Sequence, residues 1–133
     1  MDKKSIINKL KEEHSIILRA LNDVVRFGIG SETGQRKLLE AKDLLIKHLL
    51  NEDENLYPYL EKAAVENKQL KGTLKVFADE MDIISNETLS FFNKYEKEER
   101  GLEFAKDFGK LFAKLSLRIR REESVLYDLF LNH

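Results

Sequence analysis

Residues 48–60 read HLLNEDENLYPYL, and residues 118–130 read RIRREESVLYDLF. Laid over each other, Glu52 falls on Glu122, Asp53 on Glu123, and Leu56-Tyr57 on Leu126-Tyr127, an offset of 70 residues. A second match lies upstream, where Glu13-His14-Ser15-Ile16-Ile17 falls on Glu80-Met81-Asp82-Ile83-Ile84 at an offset of 67 residues. The chain therefore reads as two related helical hairpins, about 1–66 and 67–133, within one domain spanning 1–133. His48 and Glu52 stand four residues apart. On a helix that spacing puts both side chains on one face, a turn apart, which is how one helix offers two groups to a common partner.

Working outward, the apolar pattern is helical everywhere. Ile7, Leu10, His14, Ile17, Leu21 and Val24 recur at steps of three or four, and so do Leu38, Ala41, Leu45, His48, Glu52, Leu56 and Tyr59. A third stripe runs Leu70, Leu74, Phe77, Met81, Ile84, Thr88, Phe91 and Tyr95, and a fourth Phe104, Phe108, Leu111, Leu115, Arg118, Glu122, Val125 and Leu129. Four amphipathic helices must bury one side each against the others. Breaks fall at GIGSETG (28–34), around NKQLKGT (67–73) and at EKEERG (96–101). Pro58, the single proline, removes a backbone donor and predicts a kink late in helix two. Short links between long helices make neighbours antiparallel, so the predicted fold is all-α, an up-down-up-down antiparallel four-helix bundle.

Composition narrows the function classes. With no cysteine, disulfides, thiolate zinc sites and iron–sulfur clusters are excluded. Lys and Arg total 23 against 24 for Asp and Glu, which gives no electrostatic case for nucleic acid or an anionic membrane. No apolar run approaches the roughly 20 residues of a membrane span, and the start MDKKSIINKLKEEH lacks the apolar core of a signal peptide. The expected location is cytoplasmic. GIGSETG lacks the Lys and the preceding strand of a phosphate loop, and no serine stands in a Ser/His/Asp context, so the chain does not read as an enzyme.

Three of the inner stripes carry groups foreign to an apolar core: His14, then His48 with Glu52, then Arg118 with Glu122. Buried unpaired, each costs several kcal/mol, so they need one another, water or a metal. The run His48-x-x-x-Glu52 followed by Leu56-Tyr57-Pro58 resembles the HHE motif of hemerythrin-like cation-binding domains. Glu122-Glu123-x-x-Leu126-Tyr127 is similar to that family's fourth-helix motif, which normally reads His-x-x-x-Glu, and the lone inward His14 on helix one fits as well. The likeness covers essentially the whole chain.

The resemblance implies a non-haem iron centre between the four helices. Carried over residue by residue, it implies the metal ligands His14, His48, Glu52 and Glu122, the two glutamates as bridging carboxylates. A second iron would draw histidines from helices three and four, where this chain has Met81 and Arg118. A thioether is a poor ligand in a carboxylate iron site, and a guanidinium has no lone pair to give. The expectation is one ion rather than two, with Arg118 paired to Glu52 and Glu122 in the second position. The implied cofactor is non-haem iron, with zinc or manganese as alternatives. The implied function is a metal-binding protein that senses or handles oxygen, nitric oxide or iron. Its expected partners are the metal ion and a small ligand such as dioxygen; no protein partner is identified. The competing reading is a metal-free structural or protein-interaction bundle in which His14, Glu52, Arg118 and Glu122 satisfy one another.

Overall fold

A computed structural model describes residues 2–95 and 101–133 of the chain. Its first helix, α1 (Lys3–Phe27), is capped by Asp2, whose carboxylate accepts from the Ser5 amide, and ends at Gly28 with φ +98°, a value suited to glycine. The next helix, α2 (Glu32–Asn55), begins at the cap Ser31, whose hydroxyl oxygen accepts from the Gly34 amide at 2.9 Å. A Cβ on Gly34 would lie 2.0 Å from the Gly28 carbonyl oxygen, so the tight α1–α2 corner requires glycine there. The loop is shorter than GIGSETG suggested, because its last three residues already belong to α2.

Leu56 interrupts the second rod, and α3 (Tyr57–Ala64) follows with Pro58 in its first turn. The kink expected at Pro58 is thus a break two residues earlier. A proline tolerates the first turn, where the amide has no intrahelical partner, but not a helix interior. The next helix, α4 (Lys68–Tyr95), starts behind Asn67, whose side chain accepts from the Leu70 amide at 3.1 Å. Only the Asn of NKQLKGT therefore acts as a break, and Gly72 and Thr73 are helical. The EKEERG break lies, apart from Gly101, outside the described residues. The last rod is α5 (Leu102–Arg121), a π-helical segment (Glu122–Leu126) and α6 (Tyr127–Asn132).

Together the pieces form the four rods of an all-α bundle, with α1 packed on α2, α4 on α3 and α5, and α6 on α1 and α3. Two apolar layers fill it. One holds Ile17, Leu21, Val24, Phe91, Phe104 and Phe108; the other holds Leu10, Leu56, Leu60, Phe77, Leu126 and Phe130. Between them lies a buried polar layer of His14, His48, Glu52, Arg118 and Glu122. The predicted inner stripes hold on α1 and α5, but Tyr59, beyond the first interruption, and Val125, inside the second, do not face inward. Tyr59 is 40% exposed where Leu60 is buried, and Val125 is 38% exposed where Leu126 is buried. Each interruption rotates the chain after it, which moves the inward face by one residue. Among the described residues, no helix is long and apolar enough to cross a membrane.

Candidate metal centre

Three rods deliver the polar layer. His14 comes from α1, His48 and Glu52 from consecutive turns of α2, and Glu122 from the start of the π-helical segment. One donor atom from each of these four residues lies within 4.8 Å of the others, and all four side chains are buried. This is the set expected from the sequence, brought together from positions up to 108 residues apart. The π-helical turn inserts one residue into the ladder and so lets both Glu122 and, further on, Tyr127 face inward.

Each imidazole is held from outside by a carboxylate. Glu123 Oε2 lies 2.8 Å from His14 Nδ1, and Glu13 Oε1 lies 2.8 Å from His48 Nδ1. Asn51 Nδ2 in turn donates to Glu13 Oε2 at 2.9 Å. Such outer carboxylates fix the ring and its tautomer, leaving Nε2 as the lone-pair nitrogen. Both Nε2 atoms point at the same place. His14 Nε2 is 2.8 Å from Glu122 Oε1, while His48 Nε2 is 3.5 Å from that oxygen and 3.4 Å from Glu52 Oε2. With Nδ1–H donated outward, each Nε2 would set a lone pair against carboxylate oxygens. That arrangement needs positive charge at the centre, as one proton on each ring or as a single divalent cation between them.

The electrostatics express the same demand. Burial pulls the His48 pKa down, but the bonds to Glu122 and Glu52 outweigh it and push it from 6.5 up to about 10. Burial raises Glu122, yet His14, His48 and Arg118 hold its carboxyl far below the usual range. For Glu52 burial wins, and its pKa is raised. The donor set of two imidazoles and two carboxylates, all buried, suits a borderline divalent or trivalent ion.

Beside this centre Arg118 is buried and fully engaged. Its Nε donates to Glu122 Oε2 at 2.9 Å, Nη1 to the Phe77 carbonyl at 3.0 Å and Nη2 to the Tyr57 hydroxyl at 3.1 Å. The Phe77 ring lies under the guanidinium at 4.8 Å. Glu80 bonds Arg121 and stands 3.8 Å from Arg118 Nη1. The expected pairing with Glu122 is present; Glu52 instead accepts from the Tyr127 hydroxyl at 2.8 Å. Met81 is half-buried. It lines two surface clefts, one of about 210 Å³ with Leu45, Leu49 and Phe92, and one of about 360 Å³ with Asp53, Tyr57 and Asp82.

The sequence reading missed Glu13, Glu123, Tyr57 and Tyr127. Their signal was in the repeat, which pairs Glu13 with Glu80, Asp53 with Glu123 and Tyr57 with Tyr127. Apolar patterning could not find them, because Glu13 and Glu123 reach the centre from the edge of their helices and Tyr127 turns inward only through the π-helical turn.

Against known families, the family model for the hemerythrin HHE cation-binding domain matches residues 5–130. No curated protein and no solved structure gives a match.

Proposed function

The chain belongs to the hemerythrin HHE cation-binding domain family, and from that premise we propose that it binds a single transition-metal ion through His14, His48, Glu52 and Glu122. One observation carries this reading: both histidines set Nδ1 against an outer carboxylate and turn Nε2 toward Glu122 Oε1, with His48 reaching Glu52 as well, so the centre calls for a cation. Bound there, non-haem iron would supply redox change and an open position for a small ligand such as dioxygen or nitric oxide. The chain's own part is to orient the imidazoles through Glu13 and Glu123, and to exclude water between the two apolar layers. Arg118 supplies a permanent charge on the far oxygen of Glu122. That charge stands in for a second ion, so the proposed role is sensing or handling of oxygen, nitric oxide or iron rather than dioxygen carriage by an iron pair. The two-hairpin repeat, about 1–66 and 67–133, accounts for the layout: the first half keeps its histidines, and the second has Met81 and Arg118 in their place.

Elemental analysis of protein expressed in iron-supplemented medium tests the proposal, and about one ion per chain is expected. Two ions per chain would remove the role given to Arg118. No ion after reconstitution with ferrous, zinc and manganese salts would refute metal binding and leave the metal-free bundle. That second reading has its own support, since the raised pKa of His48 lets a proton satisfy the centre in place of a metal.

A further inference from the structure

Tyr127 stands at the centre but outside the histidine–carboxylate set. Its hydroxyl is 2.8 Å from Glu52 Oε2, 3.1 Å from His14 Nε2 and 3.3 Å from Glu122 Oε1, and its ring stacks on His14 with an interplanar angle of 12°. A phenol has one proton, so it donates to one of these atoms, and its oxygen lone pairs then share the space on which the other donors converge. Its partners are three of the four candidate ligands. Tyr127 is also 1% exposed, so no water competes for its oxygen from outside.

The repeat supplies an independent argument. Tyr57, which falls on Tyr127, turns its hydroxyl onto Arg118, a permanent cation. Glu80, which falls on Glu13, faces Arg118 just as Glu13 faces His48. The two halves therefore place a tyrosine oxygen, a buried glutamate and an outer carboxylate around corresponding points. In one half a guanidinium lies at that point. In the other half the Tyr127 oxygen faces His14, Glu52 and Glu122.

We propose that Tyr127 is a fifth ligand, binding a ferric ion at the His14–His48–Glu52–Glu122 centre through its phenolate oxygen. The inference rests on the metal-binding reading above. Binding this way breaks the phenol O–H bond and releases that proton to solvent, beyond any proton the imidazoles give up on ligation, with no electron exchanged. Phenolate ligation also favours the ferric over the ferrous ion, because a hard anionic oxygen stabilises the higher charge.

The test is to load the protein with ferric citrate, remove free iron, and record iron content, visible absorption and resonance Raman spectra together. Wild type should hold about one iron per chain, with a phenolate-to-iron charge-transfer band and tyrosine ring modes enhanced under it. Those modes should shift when the protein is grown on ring-deuterated tyrosine. Tyr127→Phe should keep iron and lose the band, whereas Tyr57→Phe should keep the band. Bound iron without enhanced tyrosine modes in wild type overturns the ligand assignment while leaving metal binding intact, and needs no variant to be folded. A band that survives Tyr127→Phe, or is lost only in Tyr57→Phe, overturns it as well. No bound iron in the wild type overturns this inference, and the metal-binding reading falls with it if ferrous, zinc and manganese salts also leave the centre empty.

Discussion

At the scale of single residues, Arg118 and His48 make opposite predictions about the metal-free protein. Arg118 pairs with Glu122 inside the bundle, and removing one member of a buried pair leaves the other charged and unsolvated. Arg118→Met should therefore cost about 3–5 kcal/mol in urea unfolding of the metal-free protein, whereas Arg121→Ala, at a far more exposed position, should cost under about 1 kcal/mol. For His48 the folded pKa is raised from 6.5 to about 10. A raised pKa contributes stability that is complete below the unfolded value and fades as pH climbs through the folded one. The metal-free melting temperature should accordingly fall between about pH 7 and pH 10, and His48→Gln should flatten that fall. Metal loading should flatten it too, because a ligating imidazole has already given up the proton.

At the scale of elements, the two helix interruptions matter more than the helices. Leu56 lies one turn past Glu52 and the Glu122–Leu126 turn begins at Glu122, and each rotates the following residues onto the second apolar layer. Inserting an alanine between Leu126 and Tyr127 should add a second extra residue and swing Tyr127 and Phe130 by about 100° off the core. Far-UV circular dichroism should stay helical while stability drops by more than about 2 kcal/mol, the usual lower cost of losing one large buried apolar side chain. Unchanged stability would mean that the phase of the last helix has no part in seating these two side chains. How much of this the sequence disclosed depends on the element. The stripe of α1 is regular and every position named on it is buried, whereas Tyr59 and Val125 are misplaced because a constant period cannot anticipate an inserted or broken turn.

At the scale of the whole molecule, the polar layer sits between two apolar ones and draws on three of the four rods, so anything bound there ties the bundle together. A ligand that binds only the folded chain stabilises it by RT ln(1 + [L]/Kd), about 2.7 kcal/mol at a hundredfold excess over Kd. Adding ferrous or zinc salt should raise the melting temperature by several degrees in the wild type and leave it unmoved in His48→Ala. An equal rise in both proteins would place the ion elsewhere.

The sequence by itself determined the helices, their order and the four inward polar residues, because 3.6-residue periodicity and an internal repeat are local properties that survive without coordinates. It also disclosed the replacement of two expected histidines by Met81 and Arg118. Only the tertiary structure decided what those residues do. It gave Arg118 to Glu122, Phe77 and Tyr57, set Met81 along two surface clefts, and brought Glu13, Glu123 and Tyr127 to the centre. The reason is physical. Facing inward is a matter of phase along one helix, but a bond between residues 109 positions apart depends on how rods pack and where a turn is broken, which no single stretch of sequence encodes.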